Sequence, residues 1–217
     1  MAILHQDLAL YADVDGTLIF LNIRANRFFA LTRDRENAFR SSVGEALASQ
    51  GECVISHGHA PRICRTDEVT ELSAISIPTA QAASRASEPS GSHRTFLDAM
   101  YNRLLMKRLV RRGNLKRIHE LLRAARKDEP IGGDPEAIFR IANGAFRAVS
   151  SFVNAESDCL ALASAQARFI IRRGIPVDCV LGVRLNPFSA HAWVQYEDLV
   201  VGEDVDFVRI HFPIAAL

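Results

Sequence analysis

Apolar and polar positions divide the chain into a strand-rich beginning, a helical middle, and an end where one helix is followed by strands. Leu8-Ala-Leu-Tyr-Ala12 runs into Asp13-Val-Asp15-Gly16, and Asp-Gly between apolar runs is a strong hairpin signal. Thr17-Leu-Ile-Phe-Leu21 is the return strand, and Arg27-Phe-Phe-Ala-Leu31 reads as a third. Thr32 then suits the cap of a helix with Ala38, Val43, Ala46 and Leu47 on its apolar face, although Glu36 falls just outside the capping-box spacing. Residues 76–95 are rich in Ser, Ala, Pro and Gly with few large apolar side chains, which reads as a linker between a domain over 1–75 and one over 96–217.

The helical middle has three segments. Phe96 to Val110 carries helical spacing and is broken by Gly113; Leu115 to Arg126 places Ile118, Leu121, Leu122 and Ala125 on one face. Asp134-Pro135 opens a third helix, with proline where it is tolerated, and Ile138, Ile141, Ala142 and Ala145 face inward beneath the helix that follows. The basic run from Lys107 to Lys127 reads as a solvated face rather than a nucleic-acid surface, since the rest of the chain balances the charge to +1.

The most informative stretch runs from Ser157 to Asp204. Ser157 or Asp158 suits an N-cap, Leu160, Ala163, Ala167 and Ile171 form a helical stripe, and Gly174 marks the stop. Cys159 therefore opens a helix, among backbone N–H groups without intrahelical partners, where negative charge is favoured and an oxyanion can be held. Val177 to Val183 reads as a β-branched strand, Asn186-Pro187-Phe188-Ser189 as a turn, and His191 to Tyr196 as a second strand with His191, Trp193 and Gln195 on one face. Glu197-Asp198 turns into Leu199-Val-Val-Gly-Glu203.

Register selects the acid that faces His191. A two-residue loop pairs Tyr196 with Leu199 and, counted back, sets His191 opposite Asp204; a three-residue loop or one bulge substitutes Glu203. In either register a carboxylate can fix the imidazole tautomer while the other ring nitrogen activates the thiol. Cysteine on a helix start, histidine on a strand and acid on the next is the order of the transglutaminase-like and papain-like group.

Composition narrows the reading without changing it. A chain of 217 residues, 48% hydrophobic, suffices for one good core or two small ones. No apolar run approaches the ~20 residues of a membrane span, and the N-terminus lacks a signal-peptide layout. Four cysteines do not form a disulfide framework at this size, so a cytoplasmic protein with free thiols is expected. Cys53, His57, His59 and Cys64 could chelate zinc, but both histidines lie between the cysteines instead of forming a separate close pair, and two ordinary thiols are the expectation. Neither a metal nor another cofactor is expected, and no P-loop occurs. Cys179, mid-strand among Val and Leu, reads as core; Trp193 is either the wall of an acyl pocket or, more commonly for a lone tryptophan, a core anchor; His211 reads as a surface residue of the C-terminal tail.

Several stretches carry a family resemblance. Asp158-Cys-Leu-Ala-Leu-Ala-Ser164, Arg173-Gly-Ile175, Leu181-Gly-Val-Arg184, Pro187-Phe-Ser-Ala-His-Ala-Trp-Val-Gln195, Val205-Asp-Phe-Val-Arg209 and Pro213-Ile214 resemble the lasso-peptide B protein, which includes the transglutaminase-like leader peptidases, over roughly residues 95–217. The resemblance implies a cysteine peptidase with Cys159 as nucleophile and His191 as general base. Aligned without gaps, the family's Asn-Asp pair falls on Gly202-Glu203, which makes Glu203 the third member in place of the usual aspartate, with Asp204 as fallback.

Asp15-Gly16, Leu18, Leu21 and Arg27-Phe-Phe-Ala-Leu31 resemble the RiPP recognition element, a winged-helix-like peptide-binding domain, over about residues 1–75. That resemblance implies a leader peptide added as a strand along Arg27, Phe28, Phe29, Ala30 and Leu31, with Phe28 or Phe29 lining the groove. The alternative is that both rings are core. The fold expected is α+β: a winged-helix-like N-terminal peptide-binding domain plus a transglutaminase-like/papain-like cysteine protease domain. The function expected is cleavage of a lasso-peptide precursor's leader through a thioester, releasing a core for an asparagine-synthetase-like macrolactam synthetase. A non-catalytic delivery module for the precursor peptide and an acyltransferase are the alternatives. Neither a nucleic-acid nor a membrane partner is expected.

Overall fold

Asp15 and Gly16 form the two-residue turn of a hairpin between β1 (Ala9–Val14) and β2 (Thr17–Asn22), with Val14 paired to Thr17. The computed structural model describes residues 9–22, 27–49, 62–64, 69–71, 75–82, 92–126, 134–150 and 158–217. The chain divides into two compact units, residues 1–75 and 76–217.

In the first unit, β3 (Arg27–Ala30), β4 (Arg62–Cys64) and β5 (Val69–Glu71) complete a sheet of order β3-β2-β1-β4-β5, and α1 (Arg33–Ser49) follows β3. β4 and β5 lie beyond the three strands expected from sequence. Tyr11, Leu18 and Phe20 make a small core against which Phe29, Leu31 and Phe39 pack. Phe29 lies directly opposite Phe20 and stacks on it, with centroids 5.1 Å apart. Phe39 meets Tyr11 and Phe20 edge-on, so α1 inserts Phe39, whereas Ala38, expected on the apolar face, is exposed. Arg40 braces this corner by donating to Asp13, Glu36 and the Gly16 carbonyl. The side chains of Val43, Ala46 and Leu47 lie outside the described residues, as do Cys53, His57 and His59 and the side chain of Cys64.

The second unit is built round α5 (Cys159–Ile171), which packs against α2 (His93–Arg111), α3 (Leu115–Ala125), α4 (Pro135–Ser150) and the strands β7 (Asp178–Arg184) and β8 (Ser189–Tyr196). Covered on so many sides, α5 is apolar nearly all round and rich in alanine, which lets its neighbours approach closely. Leu160 is only half-buried, while Ala161, Phe169 and Ile170 are buried in addition to the expected stripe. α4 contributes Phe139, Ala142, Ala145, Phe146 and Val149, with Phe146 edge-on to Phe169 at 5.5 Å. A polar seam fastens α2 to the end of α5: Asp98 pairs with Arg172 and Arg173, and buried Asn102 accepts from Arg168 and donates to Asp98.

The sheet of this unit has the order β10-β7-β8-β9-β6, with β6 (Ala80–Ala82), β9 (Leu199–Val201) and β10 (Phe212–Ala216) completing it; α6 (Val205–Arg209) lies between β9 and β10. Part of the stretch expected as linker is therefore structured. β6 runs parallel to β9, Thr79 donates its N–H to the Asp198 carbonyl at 2.8 Å, and the Gln195 amide donates to the Ser76 carbonyl at 3.0 Å. Ser92 caps α2 and accepts from Thr95 N–H, so the last four residues of the expected linker belong to that helix and its cap. Short polar edge strands bury little apolar surface, which leaves a composition indistinguishable from a linker.

Candidate active site

β7 and β8 pair with Gly182 opposite His191 and Val180 opposite Trp193. A Cβ on Gly182 would meet the Trp193 ring at 2.7 Å and the Phe212 carbonyl at 2.9 Å, so only glycine admits the indole there. Trp193 is fully buried and donates Nε1–H to Gln195, which makes it a core anchor rather than a pocket wall. His191, two residues back on the same face, stacks beside it with centroids 6.3 Å apart.

The turn at Glu197-Asp198 has two residues and Tyr196 pairs with Leu199, yet counting back along the ladder does not locate the acid. Pairing stops at Val201. Gly202 then takes φ of 81°, a left-handed bend that favours glycine. A Cβ there would come within 2.5 Å of Asn143 Oδ1 and 3.0 Å of Gln166 Nε2, two groups joined by their own hydrogen bond. The bend returns Glu203 to the imidazole, where His191 Nε2 lies 2.6 Å from Oε2. Asp204, the fallback acid, points elsewhere: its Oδ1 accepts from Asp206 N–H and caps α6.

Cys159 is the first residue of α5 and its thiol is hydrogen-bonded to His191. With Nε2–H donating to Glu203, Nδ1 is the nitrogen left for sulfur. Burial alone would pull the imidazole's pKa down, but its hydrogen bonds to Cys159 and Glu203 and their negative charge outweigh that and raise it from 6.5 to about 9. The imidazolium is thus the favoured form at neutral pH, as a thiolate–imidazolium pair requires. Cys179, in contrast, is fully buried in β7 and burial pushes its thiol up.

Asp158 occupies the N-cap position but makes no side-chain cap bond. Its carboxylate is drawn instead to Lys107 Nζ at 2.9 Å and Arg103 Nη2 at 3.7 Å, and its carbonyl accepts from Arg103 Nη1 at 3.4 Å. Ser157, the other candidate cap, lies outside the described residues. Arg103 is buried, its pKa lowered by desolvation against the raising charges of Asp158 and Cys159, and its Nε and Nη2 have no hydrogen-bond partner among the described residues. Lys107 therefore belongs to the support of the nucleophile's helix and not to a wholly solvated basic face. Both residues sit four apart on α2, a spacing that places them on one side of the helix but does not name their partner.

His211 is buried rather than exposed, because β10 is the edge of the sheet beside β7 and not a free tail. The Phe207 carbonyl can only accept, so His211 Nδ1–H donates to it at 3.1 Å, and Nε2 takes the Ser189 hydroxyl at 3.0 Å. Burial lowers the pKa of His211, and the nearby charges of His191 and Arg184 add to this. The His211 and Phe207 rings lie 5.3 and 5.0 Å from that of His191.

Cys159, His191 and Glu203 thus converge, while the expected peptide-binding residues belong to the other unit. There β3 is an edge strand paired only to β2 among the described residues. Arg27 and Ala30 are exposed; Phe29 and Leu31 pack on the core cluster, and Phe28 is half-buried on the opposite face of the strand. No group of His, Cys, Asp and Glu suited to a metal occurs among the described residues, and none of their helices is long and apolar enough to cross a membrane.

Searches of curated proteins and of solved structures return no match. Residues 103–211 match the transglutaminase-like superfamily, whose members are usually cysteine-based enzymes, and this span holds Cys159, His191 and Glu203 together with Arg103 and His211. The chain belongs to the transglutaminase-like superfamily.

Proposed function

We propose that the protein is a cysteine peptidase that removes the leader of a lasso-peptide precursor. The observation that carries the reading is the imidazole of His191, bonded to the Glu203 carboxylate at 2.6 Å on one side and to the Cys159 thiol on the other. Sulfur attacks the scissile carbonyl, and first-turn amides of α5 hold the oxyanion. The C–N bond breaks as His191 gives its proton to the leaving amine. A thioester remains on Cys159, and His191 then takes a proton from the water that hydrolyses it.

In this reading the first unit captures the leader as an added strand along β3, whose outer edge pairs with no strand among the described residues. Phe29 is committed to the core cluster, so Phe28 and the exposed strand face are the groove candidates. The released core, with its new N-terminal amine, passes to an asparagine-synthetase-like macrolactam synthetase, and the reaction is cytoplasmic. Purified protein mixed with precursor gives two fragments by mass spectrometry; Cys159→Ala gives none and still binds leader. Fragment release by the alanine variant removes Cys159 as nucleophile. Superfamily membership equally favours acyl transfer to an amine, which addition of a primary amine during turnover distinguishes by an acyl product heavier than the hydrolysed acid by that amine less one water.

A further inference from the structure

Two large apolar side chains of α6 and the turn that ends it stand about half exposed: Phe207 and Ile210, at 50% and 47%. Phe207 presents its edge to the His191 ring at 5.0 Å, and Ile210 lies three residues on, a spacing that sets it on the same side. Exposed apolar side chains beside a catalytic ring cost solvation that a folded domain ordinarily avoids unless something docks there.

The chemistry of the catalytic pair identifies the occupant. His191 delivers its proton to the leaving nitrogen, so the atoms that pass over the histidine side of the site belong to the amine half of the substrate. Resting on the acyl-enzyme reading above, we infer that Phe207 and Ile210 form a specificity surface for an apolar side chain on the amine half, one or two residues from the reacting nitrogen. By microscopic reversibility the same surface selects the amine that attacks the thioester: the N–C bond forms, the C–S bond breaks, and the amine's proton returns through His191 to the system of Cys159 and solvent.

The test needs no precursor. The full chain is acylated with p-nitrophenyl acetate, the burst of p-nitrophenol counts the acyl-enzyme, and leucinamide or serinamide competes with water for the acetyl group. Capture of leucinamide exceeds that of serinamide by ~10-fold or more, the usual worth of one apolar side chain in a pocket. Ile210→Ser reduces that ratio, counted per acyl-enzyme formed, to ~2-fold or less, and Phe207→Ala does the same, whatever either does to the burst. Equal capture of the two amides by the natural chain, or an undiminished ratio in both variants, overturns the specificity surface and leaves the acyl-enzyme standing. Absence of a burst in the natural chain overturns the acyl-enzyme, and this inference with it.

Discussion

The mouth of α5 and the middle of β7 each hold a cysteine, and the contrast between them shows what prepares a thiol for chemistry. Cys159 sits at a helix opening, half-buried, with a histidine and an acid aligned behind it. Cys179 sits in a paired strand, fully covered, and burial holds its proton in place. The residue type is the same, and the surroundings reverse its role: exposure to substrate, a base within reach and unpartnered backbone amides occur at one and not at the other.

The largest effect that sharpens this contrast is loss of the nucleophile. Cys159→Ala abolishes cleavage, whereas Cys179→Ala leaves it and lowers stability by about 1 kcal/mol, read by denaturant unfolding. Iodoacetamide labels Cys159 in the native chain and reaches Cys179 only on unfolding, which peptide mapping resolves. Next comes the acid. Glu203→Gln lowers kcat/KM by ~10²–10⁴-fold. It also moves the basic limb of the pH profile down from about 9, because the Glu203 hydrogen bond and charge help to raise the His191 pKa. Gly202→Ala acts on the same group indirectly. A Cβ pressed against Asn143 and Gln166 displaces the bend, and a misplacement of about 1 Å costs roughly 10²-fold in kcat. The smallest effect is on folding. Because its folded pKa is raised, protonated His191 contributes stability fully below pH 6.5 and loses it as pH rises through about 9. The stability advantage of the natural chain over His191→Gln therefore shrinks across that window in urea titrations; an advantage that grows instead contradicts the ion-pair assignment.

Cys159 and His191 are legible in sequence because local signals locate each: a cap, a helical stripe and a stop for one, an alternating strand after a turn for the other. The two-residue turn at Glu197-Asp198 is legible for the same reason. Glu203 could not be separated from Asp204 because counting along a ladder assumes that the ladder continues, and here it ends at Val201 before the bend at Gly202. His211 reads as a surface residue in sequence because its burial depends on β10 joining β7, a long-range pairing with no local signature. Arg103 and Lys107 were hidden in a basic helix, where charge alone does not reveal which residues turn inward to Asp158. In the first unit the hairpin was evident, while the inward turn of Phe39 in place of Ala38 reflects the phase of α1 against the sheet.

The bend at Gly202 also bears on the length of the acid that follows it. The side chains of Asn143 and Gln166 crowd this corner so closely that the backbone has little freedom to advance, and the reach to the ring must come from the side chain itself. An aspartate at 203 would stop short by one methylene, about 1.5 Å. Glutamate and bend therefore form a matched pair, and a relative carrying the shorter acid needs a differently placed corner to reach the same nitrogen.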